Sequence, residues 1–130
     1  MGLHARDGDA FQLLFLSAPH RGTWRCCSGL VLIGREIESS IHIPHPSVSR
    51  LHALISHDGI QHILYDAESL TGTRLNGIRI TAPHALLNGD IISVGVKVHL
   101  LFLHPSRPRP TISPLAYRKH PRTSHSLTSN

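Results

Sequence analysis

The sequence predicts an all-β domain, a sandwich or barrel of short antiparallel strands, and two observations carry that reading. The turn dipeptides Asp58-Gly59, Asn76-Gly77 and Asn88-Gly89 recur between apolar runs of strand length, and such pairs supply the positive φ that closes two-residue hairpins. No segment sustains a helical period over about ten residues. At 130 residues and 40% hydrophobic content, the chain supports one core and is short for two.

The elements follow in order. After a polar leader over 1–10, Phe11 to Leu16 is an apolar run closed by Ser17-Ala18-Pro19 and forms the first expected strand. Residues 20–29 read as a loop. Leu30-Val31-Leu32-Ile33 is a second strand that ends at Gly34-Arg35, where glycine permits a turn that exposes the arginine. Ile41 and Ile43 alternate with His42 in a short strand terminated by Pro44 and Pro46. Further strands are expected at about 52–57, 60–66, 73–76, 78–80, 91–94 and 97–103, with Leu54 facing the interior. Beyond Leu103, five of the nine prolines and eight Ser or Thr residues crowd into the last 27 positions. Residues 104–130 are therefore expected to be a disordered Pro/Ser/Arg-rich tail, because they cannot bury enough apolar surface to offset their ordering entropy.

The net charge of +5 resembles a nucleic-acid signal until it is divided along the chain. Arg107, Arg109, Arg118, Lys119 and Arg122 lie in the tail without an acid among them, which leaves 13 − 5 = 8 basic residues against all 8 acidic ones in 1–103. Bulk charge does not choose the partner of the folded part. Weak, salt-sensitive contact of the tail with nucleic acid is the most those five charges support. The two cysteines, Cys26 and Cys27, are adjacent, which suits neither an ordinary disulfide nor a chelating pair and fits a reducing compartment. The leader carries charge where a signal peptide needs an apolar stretch, and no run approaches the ~20 apolar residues of a membrane span. An intracellular, soluble protein, cytoplasmic or nuclear, is expected.

Twelve histidines raise the question of a metal, but no Cys-x-x-Cys or His-Glu-x-x-His frame occurs and His42 and His45 straddle a proline. No metal or cofactor is expected. His52, three positions after Ser49, invites a catalytic story with Asp66 as its orienting partner. The chain has no Gly-x-Ser-x-Gly elbow or other nucleophile motif, so no enzymatic activity is expected.

The residues that converge on one chemistry are Arg35, Ser49, Arg50 and Thr71. A phosphorylated side chain brings about −1.5 to −2 charges and three acceptor oxygens, and its reader needs a forked cation together with hydroxyl donors. Gly34-Arg35, then Ser49-Arg50-Leu51-His52, then Asp66 and Ser69 leading into Gly72-Thr73 and Asn76-Gly77 resemble, in order and spacing, the forkhead-associated (FHA) domain over roughly residues 11–103. Leu86, Gly89-Asp90 and Ile92 match the closing pattern of that family.

The resemblance implies a β-sandwich of two antiparallel sheets that reads phosphothreonine through loops after residues 34, 44 and 66. It implies phosphate contacts from Arg35 and Ser49, a further donor from Arg50, and structural support from Gly34, His52, Ser69, Gly72, Thr73, Asn76 and Gly77. The implied partner is a phosphothreonine-containing protein or peptide in a Ser/Thr kinase pathway. Thr71 departs from the pattern, since the family usually has asparagine there to hold the peptide backbone, and a hydroxyl has one donor against the two of an amide. The alternative reading is a degenerate scaffold of the same family that binds an unphosphorylated partner or self-associates.

Overall fold

The structure, a computed structural model, describes residues 10–104. Its strands are β1 (Phe11–Phe15), β2 (Trp24–Cys27), β3 (Val31–Gly34), β4 (Ile41–His42), β5 (Ala53–His57), β6 (His62–Asp66), β7 (Thr73–Leu75), β8 (Ile78–Arg79), β9 (His84–Ala85), β10 (Ile91–Val94) and β11 (Val98–Leu103). They form a sandwich of a six-stranded sheet, ordered β2-β1-β11-β10-β7-β8, and a five-stranded sheet, ordered β4-β3-β5-β6-β9. Alternation along the strands places Phe11, Leu13 and Phe15 of β1 and Leu100 and Phe102 of β11 between the sheets, opposite Ile33, Ile41, Ala53, Ile55 and Leu64. Each of these Leu, Ile and Phe side chains contributes about 1.5–3 kcal/mol by leaving water. Among the described residues no helix is long and apolar enough to cross a membrane.

The β-sandwich is the fold expected, and the departures from expectation have local causes. Residues 24–27, read as loop, form β2, which pairs with β1 in the register Phe11↔Cys27 to Leu14↔Trp24. Trp24, Arg25 and Cys26 are all exposed, so this edge strand exists through backbone pairing and shows no alternation to detect. The sheets are not purely antiparallel, because β4 runs parallel to β3, with Ile33↔Ile41 and Gly34↔His42. The short connection 35–40 doubles back before β4 begins, and the Ser40 hydroxyl accepts the Leu32 N–H at 3.0 Å beside it. Leu54 faces outward and is half-buried, whereas Ala53 and Ile55 are fully buried. The alternation of β5 has the opposite parity to the one expected, with the odd-numbered Ala53 and Ile55 facing the core.

Of the three turn dipeptides, only Asn76-Gly77 closes a two-residue hairpin. Leu75 pairs with Ile78 across residues at φ 52° and 86°, the two positive values a type I′ turn requires. At Asp58-Gly59 the loop is four residues long, since His57 pairs with His62. There the Asp58 Oδ1 accepts the N–H groups of Ile60 and Gln61 at 2.9 and 2.8 Å. The N–H of Gln61 and then that of Ile60, acting against mild desolvation, hold the Asp58 carboxyl below the usual carboxylate range. Asn88-Gly89 turns the chain into β10 without making a hairpin, because β9 pairs instead with β6 (Ile63↔Ala85). This two-residue strand at His84–Ala85 was not expected.

His104, assigned on sequence to the tail, is buried and stacks 5° from parallel on Phe102. The rest of that tail, and the leader before Ala10, lie outside the described residues.

Candidate functional site

β3 enters one end of the sandwich at Gly34, where glycine is a steric necessity. A Cβ there would overlap the carbonyl oxygen of Arg50. This close approach lets the next two residues bond across the gap, with the Arg35 N–H donating to the Ser49 carbonyl at 3.0 Å and the Glu36 N–H to the Arg50 carbonyl at 3.1 Å. Arg35, Ser49 and Arg50 are thereby held on adjacent backbone. The Arg35 Nε–H donates to the Val48 carbonyl at 2.9 Å, which points the guanidinium over the β4–β5 loop and leaves its terminal nitrogens uncommitted among the described residues.

His52 is fully buried and ties three segments together. Its Nδ1 accepts the Ser49 N–H at 3.0 Å. That bond fixes the proton on Nε2, which donates to the Gly72 carbonyl at 2.8 Å. The Gly95 N–H approaches the same Nε2 at 3.4 Å, but a protonated nitrogen offers no lone pair there, so we assign this as packing. Burial pushes the His52 pKa down, against the opposing pull of the Gly72 carbonyl and the Asp66 charge. With both nitrogens engaged, the ring has no lone pair left to accept a proton from a substrate. Asp66, its partner in the catalytic reading, is committed elsewhere.

The Asp66 carboxylate organises the β6–β7 loop. It accepts the Ser69 hydroxyl, the Ser69 N–H at 3.2 Å and the Thr73 hydroxyl at 2.6 Å. Desolvation raises its pKa, but these hydrogen bonds outweigh it and hold the carboxyl below its ordinary value. Ser69 Oγ in turn accepts the Gly72 N–H at 3.0 Å. Thr71 donates its hydroxyl to the Ser47 carbonyl at 2.8 Å, and the Leu70 N–H donates to Ser49 Oγ at 3.0 Å. The β6–β7 and β4–β5 loops are therefore clamped twice, once through Thr71 and once through Ser49. Ser49 Oγ acts as acceptor in that clamp, so its own proton stays available.

Arg35, Ser49, Arg50, His52, Ser69, Thr71, Gly72 and the start of β7 at Thr73 are gathered at this one end. Asn76 and Gly77 are not. They lie in the turn beyond the far end of β7, Asn76 three residues or about 10 Å from Thr73. There Asn76 donates to Asp90 at 3.1 Å and accepts the Ile91 N–H at 2.9 Å. Their support for the site passes through the β7–β10 pairing.

Sequence reasoning missed Ser47, His45 and the β10–β11 loop. The Ser47 N–H and hydroxyl both reach His45 Nδ1, at 3.0 and 2.8 Å, and Ser47 Oγ accepts the Val96 N–H at 3.1 Å. Gly95 packs so closely on Ser47 that a Cβ would strike its Oγ. No motif marks the Ser47–Val96 bond, which joins residues 49 apart in the chain. Arg79 was missed as well. Its guanidinium lies over Gly72, where an added Cβ would come within 2.8 Å of Nε and 2.9 Å of Cζ. Among the described residues no three His, Cys, Asp or Glu side chains are grouped to hold a metal ion.

Comparison with known proteins agrees with this geometry. The FHA domain family model matches residues 31–95, a span that runs from the start of β3 to the β10–β11 turn and includes every loop described above. The chain is 41% identical over 63 residues to the proliferation marker protein Ki-67 of Mus musculus, covering 48% of this chain and 2% of that protein. It is 36% identical over 83 residues to the angiogenic factor with G patch and FHA domains 1 of Homo sapiens, covering 56% of this chain and 12% of that protein. The chain thus spans a small part of the curated relatives it matches. A solved structure described as a structural and functional analysis of phosphothreonine-dependent FHA domain interactions superposes with a TM-score of 0.63 at 28% identity, over 74% of this chain and 98% of that one. On the family match and on the loop architecture that accompanies it, the chain belongs to the FHA domain family.

Proposed function

We propose that the loop end of the sandwich binds phosphothreonine peptides and performs no chemistry on them. The observation that carries this reading is the state of the donors. Arg35 and Ser49 are locked side by side through the Arg35 N–H to Ser49 carbonyl bond. The guanidinium termini and the Ser49 hydroxyl proton remain uncommitted, although every hydroxyl around them is bonded inward. A forked cation beside a free hydroxyl fits a dianionic group with three acceptor oxygens, and Arg50, exposed on the same loop, adds charge. Support for threonine as the phosphorylated residue comes from the solved relative with phosphothreonine-dependent interactions. The physiological ligand is then a protein phosphorylated by a Ser/Thr kinase in the cytoplasm or nucleus.

The test is a titration of matched phosphothreonine, phosphoserine and unmodified peptides against the domain. Micromolar binding restricted to the phosphothreonine form is expected. Equal binding of the unmodified peptide would favour the scaffold reading, in which these loops hold an unphosphorylated partner or a second copy.

A further inference from the structure

We propose that Arg79 selects among phosphopeptides by pairing with a second acidic group beside the phosphothreonine, either a carboxylate or another phosphate. The inference rests on the phosphopeptide reading of the site and adds to it a residue outside the three loops that define the pocket.

The placement of Arg79 is costly unless an anion meets it. In the β7–β8 hairpin Arg79 pairs directly with Arg74, and like charges directly opposite each other across a strand pair destabilise it. Arg79 is exposed and takes part in no hydrogen bond or ion pair among the described residues. Its side chain runs back along the outer face of the hairpin onto Gly72, whose missing Cβ makes the room, and Gly72 at φ +93° is the residue whose carbonyl holds His52. The guanidinium therefore stands against the loop that carries Thr71.

The donors nearest to it are already used. The Ser69 hydroxyl is bonded to Asp66 and the Thr71 hydroxyl to Ser47. Arg79, with five donors in a rigid fork, is the uncommitted donor on this side of the pocket. It also lines a depression of about 350 Å³ with Tyr65, Asp66, Glu68, Thr81 and Pro83, in which the Asp66 carboxylate is engaged by Ser69 and Thr73, so a side chain flanking the phosphothreonine has a place to lie. Glu68 shares that depression without pairing with Arg79 among the described residues, and its charge opposes an acidic ligand. Glu68→Gln should accordingly strengthen the preference.

The experiment uses a peptide with one phosphothreonine and otherwise neutral flanks, scanned with Asp, Lys or phosphoserine at each flanking position and titrated against the protein and its Arg79→Ala and Arg79→Glu variants, each first shown to be folded by its melting curve. At one or more positions the acidic peptide should bind about tenfold more tightly than the neutral one, the usual scale of one charge-assisted pair. Arg79→Ala should bring that ratio to within about twofold of unity, and Arg79→Glu should invert it in favour of Lys. A gain with Asp assigns the group as a carboxylate, and a gain with phosphoserine alone assigns it as a second phosphate. An unchanged ratio in Arg79→Ala, or no acidic preference in the parent protein, overturns the proposal while the pocket stands. Failure of the neutral phosphopeptide itself to bind overturns the phosphopeptide reading, and this proposal with it.

Discussion

His52 at the loop end and His62 at the opposite end are equally sheltered, at 0% and 1% exposure, yet their surroundings differ in kind. Around His52 the neighbours are backbone groups of distant loops, the Ser49 N–H and the Gly72 carbonyl. Around His62 they are rings: Phe11 at 4.8 Å, Phe102 at 5.6 Å, His57 at 4.6 Å and His104 at 4.8 Å. One histidine acts as a hydrogen-bonding bracket with directional demands, and the other fills space in an aromatic cluster. The difference teaches where specificity was built. The base of the sandwich combines a ring cluster with short-range hydrogen bonds such as Asn76 to Asp90, whereas the loop end is held by hydrogen bonds between loops distant in the chain, in which each single partner counts.

The largest expected effect lies at the loop end and concerns binding alone. Arg35→Ala should lower phosphopeptide affinity by at least about a hundredfold, the loss of a bidentate charged contact of roughly 3 kcal/mol. Among the described residues its side chain's only hydrogen bond is to the Val48 carbonyl, so the stability cost should stay near 1 kcal/mol. Isothermal titration with a parallel melting curve checks both, and unchanged affinity would remove Arg35 from the pocket.

A matched pair of substitutions then sharpens the contrast between the ends. His52→Ala and His62→Ala each open a buried cavity and should each destabilise by about 2–4 kcal/mol. Only His52→Ala should also weaken phosphopeptide binding, by about tenfold or more at a temperature where both variants remain folded, because it alone releases Ser49 and Gly72. Equal affinities in the two variants would show that the loops do not depend on the bracket.

The same bracket makes the loop end sensitive to pH. Burial lowers the folded pKa of His52 beneath its ordinary value of 6.5, so the unfolded chain takes up a proton first. The stability this group contributes is complete above about pH 6.5 and is lost as pH falls from there toward the lowered folded value. A proton on Nδ1 would face the Ser49 N–H, donor against donor, so affinity should decline in the same window. Asp66 acts in a separate one. Its lowered pKa means that its contribution is present above about 3.8 and is lost only as pH falls through the folded value. Melting curves from pH 8 to 4 for the protein and His52→Gln should differ in slope below about pH 6.5, and parallel curves would rule the bracket out as the titrating element.

Much of the loop end was legible in the sequence because its side chains sit at short, regular offsets from turn signals. Gly34-Arg35 follows an apolar run, Ser49 and His52 bracket the entry to β5, and Asp66, Ser69 and Thr73 close one loop on themselves. Each of those contacts is local, or joins residues whose spacing a motif preserves. β2 was not legible, because an exposed edge strand has nothing to alternate against and its pairing with β1, from Phe11↔Cys27 to Leu14↔Trp24, depends on residues 10 to 16 positions away. Ser47 and Gly95 were not legible for a related reason: their contact joins loops far apart in the chain, and Arg79 was not because no motif marks a side chain that folds back onto Gly72. Leu54 failed on parity: in the apolar run Ala53-Leu54-Ile55 hydrophobicity marks every position alike, so it does not tell which alternate set faces the core.

The smallest effect separates the two roles open to Thr71. Its hydroxyl proton already serves the Ser47 carbonyl, so the side chain clamps the β6–β7 loop and has no donor left for a bound peptide. Thr71→Val keeps the shape and removes the clamp, which should cost about 0.5–1.5 kcal/mol of stability, the net value of one hydrogen bond, and loosen the loop over the pocket. Thr71→Asn replaces one donor by two. If one amide N–H takes over the Ser47 carbonyl, the second is free for the peptide backbone, and affinity should rise by about two- to tenfold, equally for unrelated phosphothreonine peptides, because a backbone contact carries no sequence information. Titration of both variants against two such peptides, with melting curves alongside, decides the matter. A loss of affinity in Thr71→Asn at unchanged stability would mean that the loop is adapted to the threonine, and that the ligand is met by its hydroxyl oxygen acting as acceptor.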